Sequence, residues 1–375
     1  MTLHVSRITM RQIGLPLREP FRISSGTLSK RRILLLELED VDGAIGWSEC
    51  VAAERPNYSA ETTDTAWLMI ETFLADVLLE RAFSHPAEVH DALEAAACGH
   101  PMAKAALEMG AWELAAQASG VSLAFMLGGT RDSIATGISL GIQASPDALV
   151  EKALAAAAEG YRKIKLKIMP GYDIAYVTAV REALGDEAPL MVDANAAYLP
   201  ADTESLRLLD DLGLTMIEQP LARDDLLRHA ALQRELRTPI CLDESIYSVA
   251  RAEDALSLRS AGIINIKPGR VGGFTSSKAI HDTCALANVP VWCGGMLESG
   301  IGRAHNVALA SLPNFQLPGD VSPSARYWEQ DIVRPEWTMS ADGMVKVPLD
   351  RPGMGVEVDR DRIDDLTLRK TVLSA

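Results

Sequence analysis

The segment Leu190-Met-Val-Asp193 returns in altered form twice along the chain, as Thr215-Met-Ile-Glu218 and Ile240-Cys-Leu-Asp243. Each copy is a short apolar run that ends in an acid, and the three acids are equally spaced along the chain. The interval between them accommodates one strand, one turn and one helix. The repeat therefore predicts consecutive strand and helix units in which each strand ends in a carboxylate.

The same rhythm continues on both sides of this segment, from about Ile134 onward. Amphipathic patterns separate the apolar runs, as in Ala148 to Glu159 and Asp224 to Arg237. An open doubly wound sheet has the same local pattern, but eight units within roughly 190 residues favour a closed (β/α)8-type barrel. The eight predicted barrel strands are Ala135 to Ile142, Lys163 to Ile168, Leu190 to Val192, Thr215 to Ile217, Ile240 to Leu242, Ile263 to Ile266, Val289 to Trp292 and a weaker run near Phe315 to Leu317.

The N-terminal part of the chain follows a different pattern. The runs Ile33 to Glu39 and Ala44 to Glu49 predict an antiparallel hairpin, because Val-Asp-Gly between them is turn chemistry. Two helices are predicted next, at Thr62 to Leu79 and Met102 to Ala118. The predicted division is an α+β domain at 1–130, the barrel at 131–324 and a tail at 325–375 that returns to cover the first domain.

The composition excludes several classes of partner. The chain has 36 Lys and Arg against 51 Asp and Glu, a formal net charge of −15, which argues against nucleic acid and anionic membranes. No stretch reaches the roughly 18 apolar residues of a spanning helix, and Met1 to Leu17 has no signal-peptide pattern. The five scattered cysteines fit a reducing compartment better than a disulfide framework or a zinc cluster. We expect a cytoplasmic protein.

The acids Asp193, Glu218 and Asp243 stand at equivalent positions of adjacent predicted strands. They would converge at the carboxyl-terminal mouth of the barrel, where barrel enzymes place their sites. Like charges that close together favour a cation between them, and hard oxygen ligands favour Mg2+. The alternative is that each acid caps the helix that follows it, a role that Glu rarely takes.

Lysines alternate along the second predicted strand, and another ends the sixth. Lys163, Lys165 and Lys167 share one face of their strand, and Lys167 would face Lys267 across the barrel. A lysine that acts as a base must be neutral, and a neighbouring cation lowers its pKa. Lys165 is predicted to do this for Lys167, and Arg270 for Lys267. Lys163 is expected to be an ordinary solvated lysine.

The remaining motifs carry weaker signals. The run 267–273 resembles a glycine-rich phosphate loop but lacks its Gly-Lys-Ser/Thr ending, and we interpret it as a tight turn. The glycine-rich run 293–302 is predicted to let a substrate approach the backbone, and Glu298 within it either supports the site or caps a helix. None of the seven histidines stands at a predicted strand end, so histidine catalysis is not indicated.

The ordered set of lysines and acids resembles the enolase superfamily, in its muconate-lactonizing-enzyme subgroup, over nearly the whole chain. Longer phrases are similar to the o-succinylbenzoate synthase / N-acylamino acid racemase branch. These phrases are Tyr161-Arg-Lys-Ile-Lys-Leu-Lys167, Val192-Asp-Ala-Asn195, Ile217-Glu-Gln-Pro220, Cys241-Leu-Asp-Glu-Ser245, Asn265-Ile-Lys-Pro-Gly-Arg-Val-Gly-Gly273 and Trp292-Cys-Gly-Gly-Met-Leu-Glu-Ser-Gly300.

The resemblance implies a (β/α)7β barrel with an α+β capping domain formed by the N-terminal part and the C-terminal tail. It implies Mg2+ as cofactor, with Mn2+ or Co2+ as substitutes, and a homo-oligomer, either a dimer or an octamer. An early cap loop, about Pro16 to Lys30, is expected to close over the substrate. The matching pocket positions are Phe21, Ser139, Asn195, Gly294, Gly295 and Met296.

The resemblance also implies the reaction. A substrate carboxylate bound to Mg2+ acidifies its α-proton, and two lysines on opposite faces remove and return the proton, which racemises an N-acylamino acid. In o-succinylbenzoate synthesis, Lys167 would act as base and then acid of a syn dehydration while Lys267 stabilises the intermediate. The expected function is N-acylamino acid racemisation with o-succinylbenzoate synthase activity.

Alternatives remain open. The synthase of menaquinone biosynthesis is one, and a dipeptide epimerase or cycloisomerase is another. The epimerases carry Asp-x-Asp where this chain has Pro318 and Asp320, so half of their ammonium clamp is missing. Mandelate-racemase-like enzymes use a histidine on the seventh strand, which 291–293 does not supply. An inactive metal-binding barrel and a metal-dependent hydrolase are further alternatives.

Overall fold

The computed structural model describes residues 2–23 and 26–374, and for 21–23 and 26–28 it describes the backbone alone. The strands are β1 (Val5–Ile23), β2 (Gly26–Asp40), β3 (Ile45–Cys50), β4 (Ser133–Ala135), β5 (Ile138–Leu140), β6 (Ile164–Lys167), β7 (Leu190–Asp193), β8 (Ile217–Glu218), β9 (Ile240–Leu242), β10 (Ile263–Ile266), β11 (Val291–Cys293), β12 (Val333–Arg334), β13 (Met344–Lys346), β14 (Glu357–Val358) and β15 (Thr367–Ser374).

Helices follow most of the barrel strands and also cover the first domain. The α-helices are α1 (Thr63–Met69), α2 (Ala75–Leu79), α3 (Ala87–Ala96), α4 (Pro101–Ser119), α5 (Leu123–Leu127), α6 (Pro146–Ala158), α7 (Ile174–Leu184), α8 (Thr203–Leu209), α9 (Leu226–Gln233), α10 (Val249–Leu258), α11 (Phe274–Leu286), α12 (Gly300–Ala310) and α13 (Arg360–Leu366). A π-helical turn, Ile70–Leu74, joins α1 to α2. Within the described residues, none of these helices is long and apolar enough to cross a membrane.

The barrel is a parallel sheet of seven strands in the order β5-β6-β7-β8-β9-β10-β11. Nearly all residues of these strands are buried, because helices cover one face of the sheet and side chains fill the other. The eighth predicted run contributes one isolated bridge, and a second lies just after it. Phe315 pairs with Val291 of β11, and Gly319 pairs with Thr136 just before β5, which closes the barrel.

The strand register brings the predicted site residues to one level. Lys167 pairs with Asp193, and Asp193 pairs with Glu218, across β6, β7 and β8. Asp243 directly follows β9, and Lys267 directly follows β10. Because parallel strands end at the same edge, these side chains surround the carboxyl-terminal mouth.

The cap is an antiparallel sheet in the order β15-β1-β2-β3, packed against α4. The predicted hairpin is present as β2 and β3, and β15 from the C-terminal tail pairs with β1. Extended backbone occupies most of 16–30, where a closing loop was predicted, and the loop's Ser24 and Ser25 lie outside the described residues. The division at 130 and 324 stays our proposal.

Two buried glutamates of the cap hold the starts of barrel helices. Glu49 accepts backbone N–H groups from Ser299 at 3.0 Å and Gly302 at 3.2 Å, at the start of α12. Glu108 accepts those of Phe274 at 2.7 Å and Thr275 at 2.9 Å, at the start of α11. Carboxylates at helix N-termini satisfy free N–H groups and favour the helix dipole. The cap thus braces the segments that follow β10 and β11, which carry site residues.

The close approach of Glu108 needs a glycine at the barrel residue that precedes α11. Gly273 has a φ of 110°, and a Cβ there would overlap the Glu108 carboxylate. Any other residue would be strained and would displace the carboxylate. The turn chemistry predicted for 267–273 therefore has a packing reason as well.

A third buried cap glutamate predicts a pH dependence of stability. Burial raises the pKa of Glu113 to about 7, against 4.5 as its ordinary value, although Gln117 and the Met354 N–H donate to it. The folded state binds this proton more tightly, so its stability contribution is present below the ordinary pKa and lost as the pH rises through 7. Between pH 5 and 8 the loss from this group is about 2 to 3 kcal/mol.

We expect Glu113→Gln to remove that loss, because a neutral amide does not ionise. Urea unfolding at pH 5 and pH 8 measures it, with the exposed Glu253→Gln as the matched control. Equal loss of stability in the wild type and in Glu113→Gln would show that the Glu113 carboxyl is not perturbed.

Candidate active site

The three predicted acids are buried at the barrel mouth and do not cap helices. Each acid ends its strand or directly follows it, and the next helix begins several residues later. Asp202 precedes α8, whereas Asp225 caps α9 and Ser248 caps α10. The alternative interpretation of these acids as helix caps is therefore wrong.

Each acid is in contact with a predicted lysine. Lys167 Nζ lies 2.5 Å from Asp193 Oδ2, and Lys165 Nζ lies 3.2 Å from Glu218 Oε2. Lys267 Nζ lies 2.8 Å from Asp243 Oδ2. The structure thus brings the predicted set into one cluster with alternating charges.

These contacts set the protonation of the acids. Burial raises the pKa of Asp193, but Lys167 and Lys165 outweigh it and bring the pKa to about 2. Burial and the Asp193 charge raise the pKa of Glu218. Neighbouring acids on β7 and β8 therefore differ in proton affinity, because Asp193 has two ammonium partners close by.

Lys163 was predicted to be an ordinary solvated lysine, and this prediction is wrong. The side chain is 2% exposed, and its Nζ lies 3.5 Å from the centre of the Trp292 ring. It forms an ion pair with Asp320 Oδ1 at 3.1 Å, and Asp320 also pairs with Lys165. A lysine just before β6 faces the barrel interior, where an aromatic face and a carboxylate replace water.

Arg270 lies close to Lys267, whose pKa it was predicted to lower, and both side chains contact Asp243. Its guanidinium pairs with Asp243 and so neutralises that acid. Burial lowers the pKa of Lys267, but Tyr58 and the nearby acids Glu218, Glu244 and Asp193 raise it overall. The effect of Arg270 on this pKa stays a prediction.

Two further residues in the cluster were missed by the sequence reasoning. The Tyr58 hydroxyl lies 3.2 Å from Lys267 Nζ, 3.2 Å from Asp243 Oδ1 and 3.0 Å from Arg270. Glu244, beside Asp243 in the chain, accepts a hydrogen bond from Asn195 at 3.0 Å. Tyr58 lies in a cap loop with no local signal, whereas the position of Glu244 after a predicted ligand could have identified it.

The cluster offers carboxylate oxygens, which are the ligands that a hard divalent cation prefers. Glu244 is buried and its Oε2 has no hydrogen-bond partner within the described chain. Burial and the charge of Asp193 raise the pKa of Glu244, so several carboxylates share this region. In the described ranges, however, no three acidic side chains are grouped so that they could hold an ion, and each predicted ligand contacts a lysine. Mg2+ therefore stays a proposal.

A cavity of about 60 Å3 opens between the lysines. It is lined by both predicted bases, Lys167 and Lys267, and by Ser139 and Gly295 among the predicted pocket residues. Asn195 donates to Glu244 and accepts from Lys167 Nζ at 2.8 Å, so it supports one base. The other lining residues are Lys165, Leu297, Glu298, Asp320 and Tyr327.

The other residues that were predicted to line the pocket differ in where they lie. A Cβ on Gly294 would lie 2.6 Å from the Lys267 Cε atom, so the missing side chain makes room for this base. Met296 packs against the cap core and does not line the cavity. Glu298 lines the cavity and accepts from Asn306, and Ser299 is the cap of α12. The side chain of Phe21 lies outside the described residues.

The fold and this cluster together define a barrel enzyme built for acid-base chemistry. The model of the mandelate racemase / muconate lactonizing enzyme N-terminal domain matches residues 6–128, and the enolase C-terminal domain-like model matches 148–362. The chain belongs to the enolase superfamily, in its muconate-lactonizing-enzyme subgroup. The predicted family is therefore confirmed.

Proteins with similar sequences match this chain over nearly its whole length. An o-succinylbenzoate synthase of Geobacillus kaustophilus is 49% identical over 98% of this chain and 97% of its own. An N-succinylamino acid racemase of an Amycolatopsis species is 46% identical over 98% and 99%. A crystal structure of an enolase superfamily member from Listeria innocua has a TM-score of 0.95 at 40% identity, with 99% of each chain covered. The predicted (β/α)7β barrel with an α+β cap is confirmed.

Proposed function

We propose that this protein is a Mg2+-dependent N-acylamino acid racemase with o-succinylbenzoate synthase activity. The observation that carries the proposal is that Lys167 and Lys267 line one cavity from the second and the sixth barrel strands. Relatives that bear both names, at 49% and 46% identity, support it. Superfamily members generally use Mg2+, which supports the metal.

Racemisation needs a base and an acid on opposite faces of one carbon. One lysine, as the neutral amine, removes the α-proton, and the electron pair moves into the substrate carboxylate. The other lysine, as the ammonium, returns a proton to the opposite face and so inverts the centre. Bound Mg2+, held by Asp193, Glu218 and Asp243, would stabilise the negative charge that develops on the carboxylate.

The neighbours of each lysine orient it for this task. Asp193 and Asn195 hold Lys167, whereas Asp243 and Tyr58 hold Lys267. Fixed partners limit the positions of the two Nζ atoms and so favour a reactive geometry. The two bases are therefore independently supported, Lys167 by the barrel alone and Lys267 by the barrel and the cap.

The synthase reaction uses the same groups. One lysine removes the α-proton and then delivers it to the leaving hydroxyl group, so that water departs and a double bond forms. The other lysine remains an ammonium and stabilises the charge of the intermediate. The set of acids at the mouth is the same in both reactions, which explains how one site could serve both.

The dipeptide epimerase alternative is disfavoured by the contacts of Asp320. Two ammonium groups, those of Lys163 and Lys165, already pair with this carboxylate. The negative charge of Asp320 is therefore already balanced and is not available to bind the ammonium group of a substrate.

We also propose a homo-oligomer, a dimer or an octamer, and a cytoplasmic location. The five free cysteines support the location.

The proposal is tested by α-proton exchange in deuterium oxide. N-acetyl- and N-succinylmethionine are supplied with Mg2+, and Mn2+ or Co2+ are tried as substitutes. Proton NMR follows the loss of the α-proton, and polarimetry follows inversion. The cyclohexadiene precursor of o-succinylbenzoate is supplied in a parallel assay. If no substrate exchanges or turns over, the proposed function is wrong.

A further inference from the structure

The segment 294–299, which joins β11 to α12, forms one wall of the catalytic cavity. Gly295, Leu297 and Glu298 line the cavity. The first residue of the segment is a glycine whose missing side chain makes room for Lys267. A displacement of this segment would therefore change the space around one of the two proposed bases.

The backbone of Leu297 is strained. Its φ is 58°, in the left-handed region, where the Cβ of an L-residue lies too close to the following carbonyl oxygen. Among the described residues that line the cavity, it is the one residue other than glycine with a positive φ. Leucine also lacks the side-chain oxygen by which Asn or Asp stabilises this conformation. Such strain persists only where the surroundings impose it, and it is concentrated at functional sites.

Hydrogen bonds hold the backbone directly after Leu297 from the barrel side. The carbonyl of the next residue accepts from the Arg303 guanidinium at 3.1 Å and from the Trp328 indole at 3.2 Å. The Gly300 N–H donates to Asp331 at 2.8 Å. These partners belong to α12 and to the segment that follows the barrel, so they impose part of the strained conformation.

Glu49 of β3 holds the same turn from the cap. Its carboxylate accepts the Ser299 N–H at 3.0 Å, the Ser299 hydroxyl at 2.5 Å and the Gly302 N–H at 3.2 Å. Glu49 is fully buried, so water does not compete for these donors. A Cβ on Gly302 would lie 2.9 Å from the carboxylate, so this glycine permits the close approach. One cap carboxylate thus fixes three donors that begin two residues after Leu297.

The start of α12 does not depend on Glu49 alone. Ser299 is the capping residue of this helix, and its Oγ accepts the Ile301 N–H at 3.4 Å. A second acceptor from another domain is therefore more than the helix itself requires. Its position between the cap sheet and the cavity wall indicates a role in the shape of that wall.

We propose that Glu49 is a positioning residue that holds Leu297 in its left-handed conformation and so sets the wall of the catalytic cavity beside Lys267. The inference deepens the proposed function, on which its kinetic test rests. It makes the cap necessary for the geometry of the barrel site and not only for its cover.

The test is a mutant cycle between Glu49 and residue 297. Glu49→Gln keeps the size of the side chain but turns an amide N–H group toward the backbone donors. We expect it to lower kcat for N-succinylmethionine by about tenfold, since the cost of a left-handed residue with a Cβ is of that order. In the Leu297→Gly background the same exchange should change kcat by less than about threefold, because glycine adopts this conformation without cost.

Leu297→Ala is the matched control, because it removes the side chain from the cavity but keeps the strain. In this background Glu49→Gln should again lower kcat by about tenfold. Assays are made at pH 8, since burial raises the pKa of Glu49 to about 7 and the carboxylate predominates there. Glu113→Gln, another buried cap glutamate, should leave kcat unchanged in all three backgrounds. An equal loss from Glu49→Gln in the Leu, Ala and Gly backgrounds, or no loss in any, would overturn the inference.

The cycle has a substitute if Glu49→Gln does not fold. Ser299→Ala removes one of the three donors to Glu49, and its side chain does not line the cavity. We expect a smaller loss of kcat than for Glu49→Gln, with the same dependence on residue 297. A loss that is equal in the Ala and Gly backgrounds would again contradict the proposed role.

Crystal structures of Glu49→Gln and Glu49→Gln/Leu297→Gly test the inference without a substrate. We expect residue 297 to leave the left-handed region in the first variant and to keep a positive φ in the second. If the wild type turns over neither N-succinylmethionine nor the cyclohexadiene precursor, the proposed function is wrong, and these structures decide the role of Glu49 by themselves. An unchanged φ at Leu297 in Glu49→Gln would show that Glu49 does not hold it.

Discussion

Lys267→Ala is expected to abolish racemisation, with a fall in kcat of at least about a thousandfold, because general acid-base catalysis contributes effects of that order. The variant should still exchange the α-proton of one enantiomer in deuterium oxide, since Lys167 remains on the other face. Lys167→Ala should show the opposite preference. Proton NMR on separate solutions of N-succinyl-L- and N-succinyl-D-methionine measures both rates.

A buried lysine outside the site provides the control for this pair. Lys104 in α4 is 1% exposed and pairs with Glu94 at 2.9 Å, so Lys104→Ala also removes a buried cation. Its catalytic rates should match those of the wild type in whatever fraction remains folded. Retained racemisation in either Lys167→Ala or Lys267→Ala would contradict the two-base scheme, and loss of exchange for both enantiomers in each variant would show that the lysines act as a unit.

The second large effect is expected from the acids. Glu218→Gln should lower kcat/KM for N-succinylmethionine by about a thousandfold, since an ion at such a site supplies several kcal/mol of transition-state stabilisation and each tenfold corresponds to about 1.4 kcal/mol. Prolonged dialysis against EDTA should have a similar effect on the wild type, and added Mg2+ should restore activity to the wild type but not to the variant.

Metal binding can be measured apart from activity. Calorimetric titration with MgCl2 should give a saturable site in the wild type that is weakened in Glu218→Gln. Glu113→Gln, another buried glutamate exchanged for its amide, is the matched control and should bind Mg2+ as the wild type does. Full activity of the wild type after EDTA treatment would contradict the proposed metal dependence.

Much of the architecture could be predicted from local sequence, because the barrel is built from short-range patterns. A strand that is buried on both faces takes the form of a continuous apolar run, and the constant interval between such runs reflects one strand and helix unit. The acids Asp193, Glu218 and Asp243 could be found because each ends such a run. Parallel strands in register then place them at one mouth without further information.

Other features were not predictable because their partners are distant in the chain. The burial of Lys163 depends on Asp320, which lies beyond the last barrel helix, and on Trp292 of β11. Tyr58 reaches Lys267 from a cap loop, across a separation of 209 in the chain. The alternation that placed all three lysines on one face was correct, but only the closed barrel decides that this face excludes water.

The sequence by itself determined the barrel, its cap, the family and the residues that stand at the strand ends, because periodicity and strand-end position are local properties. The tertiary structure alone decided which charges meet. It paired Arg270 with Asp243 and engaged Asp320 with Lys163 and Lys165. Coulombic interactions depend on distance and burial, which the order of residues does not specify.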